Sequence, residues 1–357
     1  MLDRTPADGA AALMRVRAAR PGQVMAALDL GTNNCRLLVA RQGSSGFQVI
    51  DAFSRIVRLG EGVSHSGALS SAAMDRTIEA LKVCAAKMQR RGVSLMRSVA
   101  TEACRRAANG LEFLERTRSE TGVDLEIITT AEEAKLAFSG CMPLLDRARP
   151  YAIVFDIGGG STELGWIELQ PGHHPRIIAW HSMPLGVVTL TERFGAEAAP
   201  DEDPAEFYER MVEQVQDNLA PFVQAIGAHR MIARSQVQLL GTSGTVTTLA
   251  GIRMELPRYD RSVVDGSFLE FGDVDRISKR LAEQDCGQRA LNPCIGIERA
   301  DLVVSGCAIL SAICRQWPIG RLRVADRGVR EGILMSLMTG TAPESVYRRG
   351  VANGVPA

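Results

Sequence analysis

The stretch Asp156-Ile157-Gly158-Gly159-Gly160-Ser161-Thr162-Glu163 decides how this chain is read. An apolar run over residues 151–156 leads into it and another over 163–169 leads out, so it predicts a strand, a polar turn and a second strand. Three consecutive glycines allow φ > 0 and strip every Cβ from one side of the turn. Successive N–H groups can then face one anion. Ser161 and Thr162 add hydroxyl donors. Asp156 ends the incoming strand and Glu163 starts the outgoing one, so both carboxylates flank the same turn. That set suits hydrated Mg²⁺, which takes one or two carboxylates together with phosphate oxygens. A bare hairpin turn is the alternative, but it gives no reason for three glycines between two acids.

Working outward, Asp29-Leu30-Gly31-Thr32-Asn33-Asn34 is a weaker copy between apolar runs at 24–30 and 35–40. D-x-G-T alone is a common turn. Its value lies in its equivalent place in the first half, where it could close on a phosphate chain from the opposite side. A third turn, Leu240-Gly241-Thr242-Ser243-Gly244-Thr245, joins a buried strand at 237–240 to a helix at 246–252. Its helix N-terminus offers free N–H groups and the positive end of a dipole. Further strands are expected at 47–53, 56–59, 95–100, 125–128, 177–183 and 321–325. Helices are expected from a Ser71 cap to Gly92 in the left-handed region, and at 109–120, 131–140, 204–223, 300–317 and 329–338. A βββαβαβα-like order thus occurs twice. It predicts an α/β protein of two similar halves with a cleft between them, where ligands gather at the carboxyl ends of strands.

Composition agrees. The chain has 357 residues, enough for two or three domains. Lys+Arg and Asp+Glu both number 41, which argues against bulk attraction to nucleic acid or to a membrane. No run of about 18 apolar residues occurs. The 8 cysteines form no C-x-x-C pair and read as buried free thiols of a reducing, cytoplasmic compartment. The five histidines lack metal-ligand spacing, and there is no Walker loop and no G-x-S-x-G elbow. Residues 1–22, rich in Ala and Arg, are expected to be a disordered tail, with Met25 a possible start just before the first strand. The segment from Thr339 onward is expected to fray. Glu132 and Glu133 stand in the first turn of a helix, where acids complement the dipole. One of them facing the cleft as a general base is the other reading, and the local sequence leaves this open. Arg55, Arg58, Arg97, Arg105 and Arg106 lie near strand ends; most arginines are solvated, but a phosphate site needs some.

Four segments carry a family resemblance. They are 27–33, 154–164, Gly241-Thr242-Ser243-Gly244-Thr245 and Asp326-Arg327-Gly328-Val329-Arg330-Glu331-Gly332. Together they resemble the Ppx/GppA phosphatases, the exopolyphosphatases and guanosine pentaphosphate phosphohydrolases, in order from about Val24 to Met338. The resemblance implies a duplicated actin-like (ribonuclease H-like) fold. Its halves would fall at 23–137 and 138–325, with a helix at about 326–340 packing back on the first and a tail at 341–357. It also implies Glu133 as catalytic base, from the second Glu of an E-E-A-R stretch, and Asp156 and Glu163 as acids for Mg²⁺ and water. Mn²⁺ could replace Mg²⁺, and a monovalent cation could assist. Phosphate would be bound by Gly31, Thr32, Asn33, Gly158, Gly159, Gly160, Ser161, Thr162, Gly241, Thr242, Ser243 and Gly244. A T-x-x-x-R segment offers Arg105 for the phosphate chain. Lys135 departs from the family's usual Arg, which removes the guanidinium fork. The additional C-terminal helical domains of longer members are not matched in this sequence. The leading expected activity is release of terminal phosphate from inorganic polyphosphate. The alternative is hydrolysis of pppGpp, and further ones are a kinase of the same superfamily or a non-catalytic pppGpp or polyphosphate sensor. A homodimer is plausible from the family.

Overall fold

A computed structural model describes residues 19–44 and 46–340. The expected tails therefore lie outside the described residues, except 339–340, where Thr339 still belongs to a helix capped by Gly340, and 19–22. There the structure corrects the reading, because Ala19 is buried and its N–H donates to the Leu337 carbonyl at 3.0 Å. Met25 lies within the first strand rather than before it.

Two sheets form. The first has the order β3-β2-β1-β4-β5, built from β1 (Val24–Leu30), β2 (Asn34–Gln42), β3 (Phe47–Ile56), β4 (Leu95–Ala100) and β5 (Glu126–Ile127). The second has the order β10-β11-β9-β6-β7-β8, from β6 (Tyr151–Ile157), β7 (Thr162–Glu168), β8 (Arg176–Met183), β9 (Val237–Ser243), β10 (Phe268–Glu270) and β11 (Arg321–Ala325). Strands β8-β7-β6-β9-β11 repeat the first order, and β10 is an added antiparallel edge. The duplicated actin-like fold expected from the motifs is the one observed. The register repeats as well. Asp29 pairs with Arg36 across β1 and β2, and Asp156 pairs with Glu163 across β6 and β7. The Gly31 N–H donates to the Asn34 carbonyl and the Gly158 N–H to that of Ser161, both at 2.9 Å.

Apart from the five-residue turn of helix at His229–Ala233 and shorter ones, the described residues form eleven helices. They are α1 (Ser71–Arg90), α2 (Glu102–Arg106), α3 (Gly110–Thr121), α4 (Thr130–Cys141), α5 (Val187–Phe194), α6 (Pro204–Ile226), α7 (Gly244–Arg253), α8 (Phe271–Ala282), α9 (Cys286–Ala290), α10 (Val303–Gln316) and α11 (Val329–Thr339). Strand β7 is buried on both faces for most of its length, as expected of a sheet covered by helices on both sides. Between the sheets lie α4 and α11, whose Phe138, Ile333 and Leu334 share a core with Leu38 and Val154. These two helices touch through glycine. A Cβ on Gly332 would stand 2.1 Å from the Leu136 carbonyl oxygen, and one on Gly140 would stand 2.1 Å from that of Gly328.

Several boundaries differ from expectation. The cap of α1 is Ser70, whose hydroxyl accepts from the Ala73 N–H; adjacent serines made Ser71 look equivalent. No separate strand forms at 56–59: Ile56 ends β3 and 57–59 are not in a strand. There the N–H groups of Val57 and Arg58 both donate to the Asn33 carbonyl and that of Gly60 to Thr32, folding the segment over the first turn. Arg58 is held at φ 48. Helices α5 and α8 and strand β10 were not anticipated; β10 is too short to show a period.

Candidate active site

The two glycine-containing turns face each other. A Cβ on Gly159 would meet Thr32 Cβ at 2.9 Å, and one on Gly160 would meet Thr32 Oγ1 and Glu102 Cγ at 2.9 Å. None of Gly158, Gly159 and Gly160 adopts positive φ. Gly159 and Gly160 are needed for close approach of the two halves and Gly158 for the tight turn onto the Ser161 carbonyl, not for the left-handed conformation that the sequence reading invoked.

A planar trans peptide points its N–H opposite to its C=O. In the second turn the Gly158 and Gly159 carbonyls are taken by the Val187 and Val188 N–H groups at 3.0 and 2.8 Å. In the first, the Thr32 and Asn33 carbonyls are taken by the segment 57–60. Among the described residues, the N–H groups of Thr32, Asn33, Gly159, Gly160 and Ser161 have no protein acceptor. Both turns line one cavity of 420 Å³, which Thr242, Ser243 and Gly244 also border at the N-terminus of α7. Ser243 caps that helix through Val246. N–H groups left free at such turns and at a helix N-terminus suit an anion.

Three expected binding residues are corrected. Gly241 lies inside β9, where a Cβ would meet the Phe155 ring at 2.4 Å; it serves packing and does not border the cavity. The Thr162 hydroxyl is buried and donates to the Leu185 carbonyl at 2.7 Å. The Arg105 guanidinium binds Glu102, Glu133 at 2.9 Å and the Ile128 carbonyl at 2.7 Å. It orients the proposed base and is not free to line the phosphate path. Ser161 is at the cavity, but its hydroxyl donates to Glu163 at 2.7 Å, as does that of Ser182 at 3.0 Å.

The carboxylates are electrostatically stressed. Burial raises Glu133, and the nearby Glu163 raises it further, while Arg105 opposes. Burial also lifts Glu163, with Asp156 adding to it and the two serines opposing. Asp156 is pushed up to about 7 by burial, which Arg36 only partly offsets. Asp29 is raised by burial against the pull of Arg36 and Arg330. No group of three or more His, Cys, Asp or Glu converges closely enough to enclose an ion among the described residues. Asp156 and Glu163 are a cross-strand pair of hard oxygen donors whose charged forms burial disfavours. They fit a divalent cation whose remaining ligands are water and phosphate.

A stability prediction follows from the sign of the Asp156 shift. A carboxyl raised in the folded state contributes stability below its unfolded value that is lost as pH rises through about 7. In metal-free buffer Asp156→Asn should therefore melt about 5 °C above the unaltered protein at pH 8. At pH 5 the gap should narrow, and near pH 4 it should close, as read by calorimetry. A gap independent of pH would remove the charge argument.

Sequence reasoning missed Arg36, Arg299 and Arg330. All three line the cavity, and none of their guanidinium groups makes a hydrogen bond or ion pair among the described residues. Arg36 was findable, since it stands seven residues after Asp29 as Glu163 stands seven after Asp156. Arg330 lay within a quoted motif but carried no assigned role. Arg261 and Arg327 also border the cavity, but they pair with Glu331 and Asp265 at 2.7 Å each. Lys135 is buried behind the site.

The Ppx/GppA phosphatase family matches residues 38–340. Exopolyphosphatase 2 of Mycobacterium tuberculosis is 31% identical over 326 residues, covering 88% of this chain and 98% of that protein. A structure of the Aquifex aeolicus PPX-GPPA enzyme superposes with a TM-score of 0.72 at 29% identity, over 88% of this chain and 99% of that one. An exopolyphosphatase from Cytophaga hutchinsonii superposes with 0.80 at 25% identity, over 90% and 100%.

Proposed function

This chain belongs to the Ppx/GppA phosphatase family, and on that premise we propose that its cleft hydrolyses terminal phosphate from inorganic polyphosphate. One observation carries the reading. Two facing turns present unsatisfied N–H groups to a cavity that also holds Glu133, a carboxylate fixed by Arg105.

The terminal phosphoryl group binds between the turns, accepting from the N–H groups of Thr32, Asn33, Gly159, Gly160 and Ser161. Arg36 and Arg330 offset its charge. Glu133 takes a proton from water, and the water oxygen attacks phosphorus in line. The P–O bond to the bridging oxygen breaks, and that oxygen leaves on the shortened chain. Catalysis is by positioning and electrostatics. Asp156 and Glu163 would hold Mg²⁺ or Mn²⁺, whose charge would neutralise phosphate oxygens. The raised carboxyl of Glu133 suits a base that must be strong enough to deprotonate water near neutral pH.

A second reading, pppGpp as substrate, is favoured by one feature. The cavity continues past Thr247 and Thr248 to Tyr259, Leu302 and Val303, which offers room for a nucleoside. A cytoplasmic setting belongs to the same proposal, supported by eight free cysteines of which seven are buried. No helix among the described residues is long and apolar enough to cross a membrane.

Phosphate release from polyphosphate, pppGpp and ATP, measured side by side with and without Mg²⁺, tests the assignment. The expected result is metal-dependent release, with the highest kcat/KM on polyphosphate. Preference for pppGpp would select the second reading. Tight binding without release from any of the three would make the chain a sensor.

A further inference from the structure

The two elements that hold the turn carbonyls are tied to each other across the cleft. One is the segment 57–62, which takes the Thr32 and Asn33 carbonyls. The other is α5, whose first N–H groups take the Gly158 and Gly159 carbonyls. The Gly62 N–H donates to Glu192 on α5 at 2.8 Å, and the Ser64 hydroxyl bonds the same carboxylate. Next to this tie, Arg58 makes a two-pronged contact with Asp301, at 2.7 and 3.0 Å, and donates to the Glu298 carbonyl at 3.1 Å. Glu298 and Asp301 flank Arg299, which faces the cavity. Other charges near the tie are Glu61, which pairs with Arg76, and the Arg76 guanidinium, which also donates to the Val57 carbonyl.

Arg58 is a non-glycine residue at φ 48. L-residues with a long side chain rarely adopt that region, and a surface loop free to relax would leave it. Here two constraints act at once. The backbone N–H is fixed to the Asn33 carbonyl, and the guanidinium is fixed to the second domain.

We propose that Arg58 and Glu192 are positioning residues. They form a clasp that keeps the two sets of anion-binding N–H groups at the spacing one phosphoryl group requires. The clasp touches neither the reacting phosphorus nor the water. It acts through the Asn33 and Gly158–Gly159 peptides. On the opposite side the domains are joined by α4 against α11. The two domains are therefore joined at two places. The kinetic part of this inference rests on the hydrolytic reading; the geometric part does not.

The test uses the full chain and three variants, Arg58→Asn, Glu192→Ala and the double variant. Asn tolerates the left-handed region, so Arg58→Asn removes the clasp without straining the loop. The Arg58 and Asp301 side chains are 32% and 31% exposed, so each single variant should lower kcat/KM for phosphate release about fivefold. The double variant should lose at least the product of the two, with melting temperature nearly unchanged. Tripolyphosphate binding in EDTA, followed by calorimetry, should weaken in parallel. Small-angle scattering should show a larger radius of gyration for the double variant. Unchanged binding and unchanged scattering in the double variant would overturn the clasp, whether or not the unaltered protein releases phosphate. A chain that releases none but opens and loses tripolyphosphate when the clasp is cut would keep the clasp and reject the hydrolytic reading.

Discussion

Replacing Glu133 by Gln lowers the rate of phosphate release by about 10³-fold, within the range expected for loss of a general base. Gln keeps the size and can still accept from Arg105, so the Arg105 bridge to Ile128 and Glu102 persists. It cannot take a proton from water. Because Glu133 faces the reacting water and makes no phosphate contact in this account, KM should stay within about threefold. The pH profile gives a second readout. Burial and Glu163 raise the Glu133 carboxyl, so the active, deprotonated form accumulates only above the ordinary carboxylate range. Activity of the unaltered protein should climb with pH through that raised value, and the Gln variant should lose the limb. A loss that falls on KM alone would identify Glu133 as a binding group.

The second large effect is on stability. In an exposed helix, Gly→Ala gains up to about 1 kcal/mol. At Gly332 the added Cβ would lie 2.1 Å from the Leu136 carbonyl oxygen and 2.7 Å from its carbon. These are backbone atoms of α4, with no flexible end to move aside, so overpacking of about 3 kcal/mol or more outweighs the gain. Gly332→Ala should therefore melt at least about 5 °C lower in a thermal scan. Gly272, which has open space around it, supplies the control and should be neutral or stabilised by the same change. Since α4 carries Glu133 and the N-terminus of α11 carries Arg330, displacing this crossing should also reduce activity at temperatures where the variant remains folded. Equal stability of Gly332→Ala and the unaltered chain would mean the helices can separate without cost.

Much of this arrangement could be read from residue order. The βββ…β…β plan was legible because the glycine turn at 158–160 and its weaker copy at 31–34 sit at matched places between apolar runs. Asp156, Glu163, Thr242 and Ser243 were legible as cavity residues because they end or begin strands. The role of the three glycines was misread. The missing Cβ atoms of Gly159 and Gly160 face Thr32, Asn33 and Glu102, which are distant in sequence, and no local pattern announces such a contact; that of Gly158 faces the Ser161 carbonyl of its own turn. Gly241 failed for the same reason, since its neighbour is the Phe155 ring across a parallel pairing. Arg105 was assigned to phosphate by the resemblance of its T-x-x-x-R segment. Only the fold shows that Glu102 and Glu133 saturate it, leaving Arg36, Arg299 and Arg330 as cavity arginines without an ion-pair partner among the described residues. The clasp at Arg58 was not legible, because it joins residues 243 positions apart.

The account turns on water, activated in the cleft, attacking a terminal phosphorus. Hydrolysis of polyphosphate in ¹⁸O-labelled water, with mass analysis of the released orthophosphate, measures that step. The expected result is one labelled oxygen per phosphate released, at a rate that falls together with turnover in Glu133→Gln. Failure to release labelled phosphate from polyphosphate or pppGpp, or transfer of unlabelled phosphoryl groups to an alcohol acceptor, would contradict it.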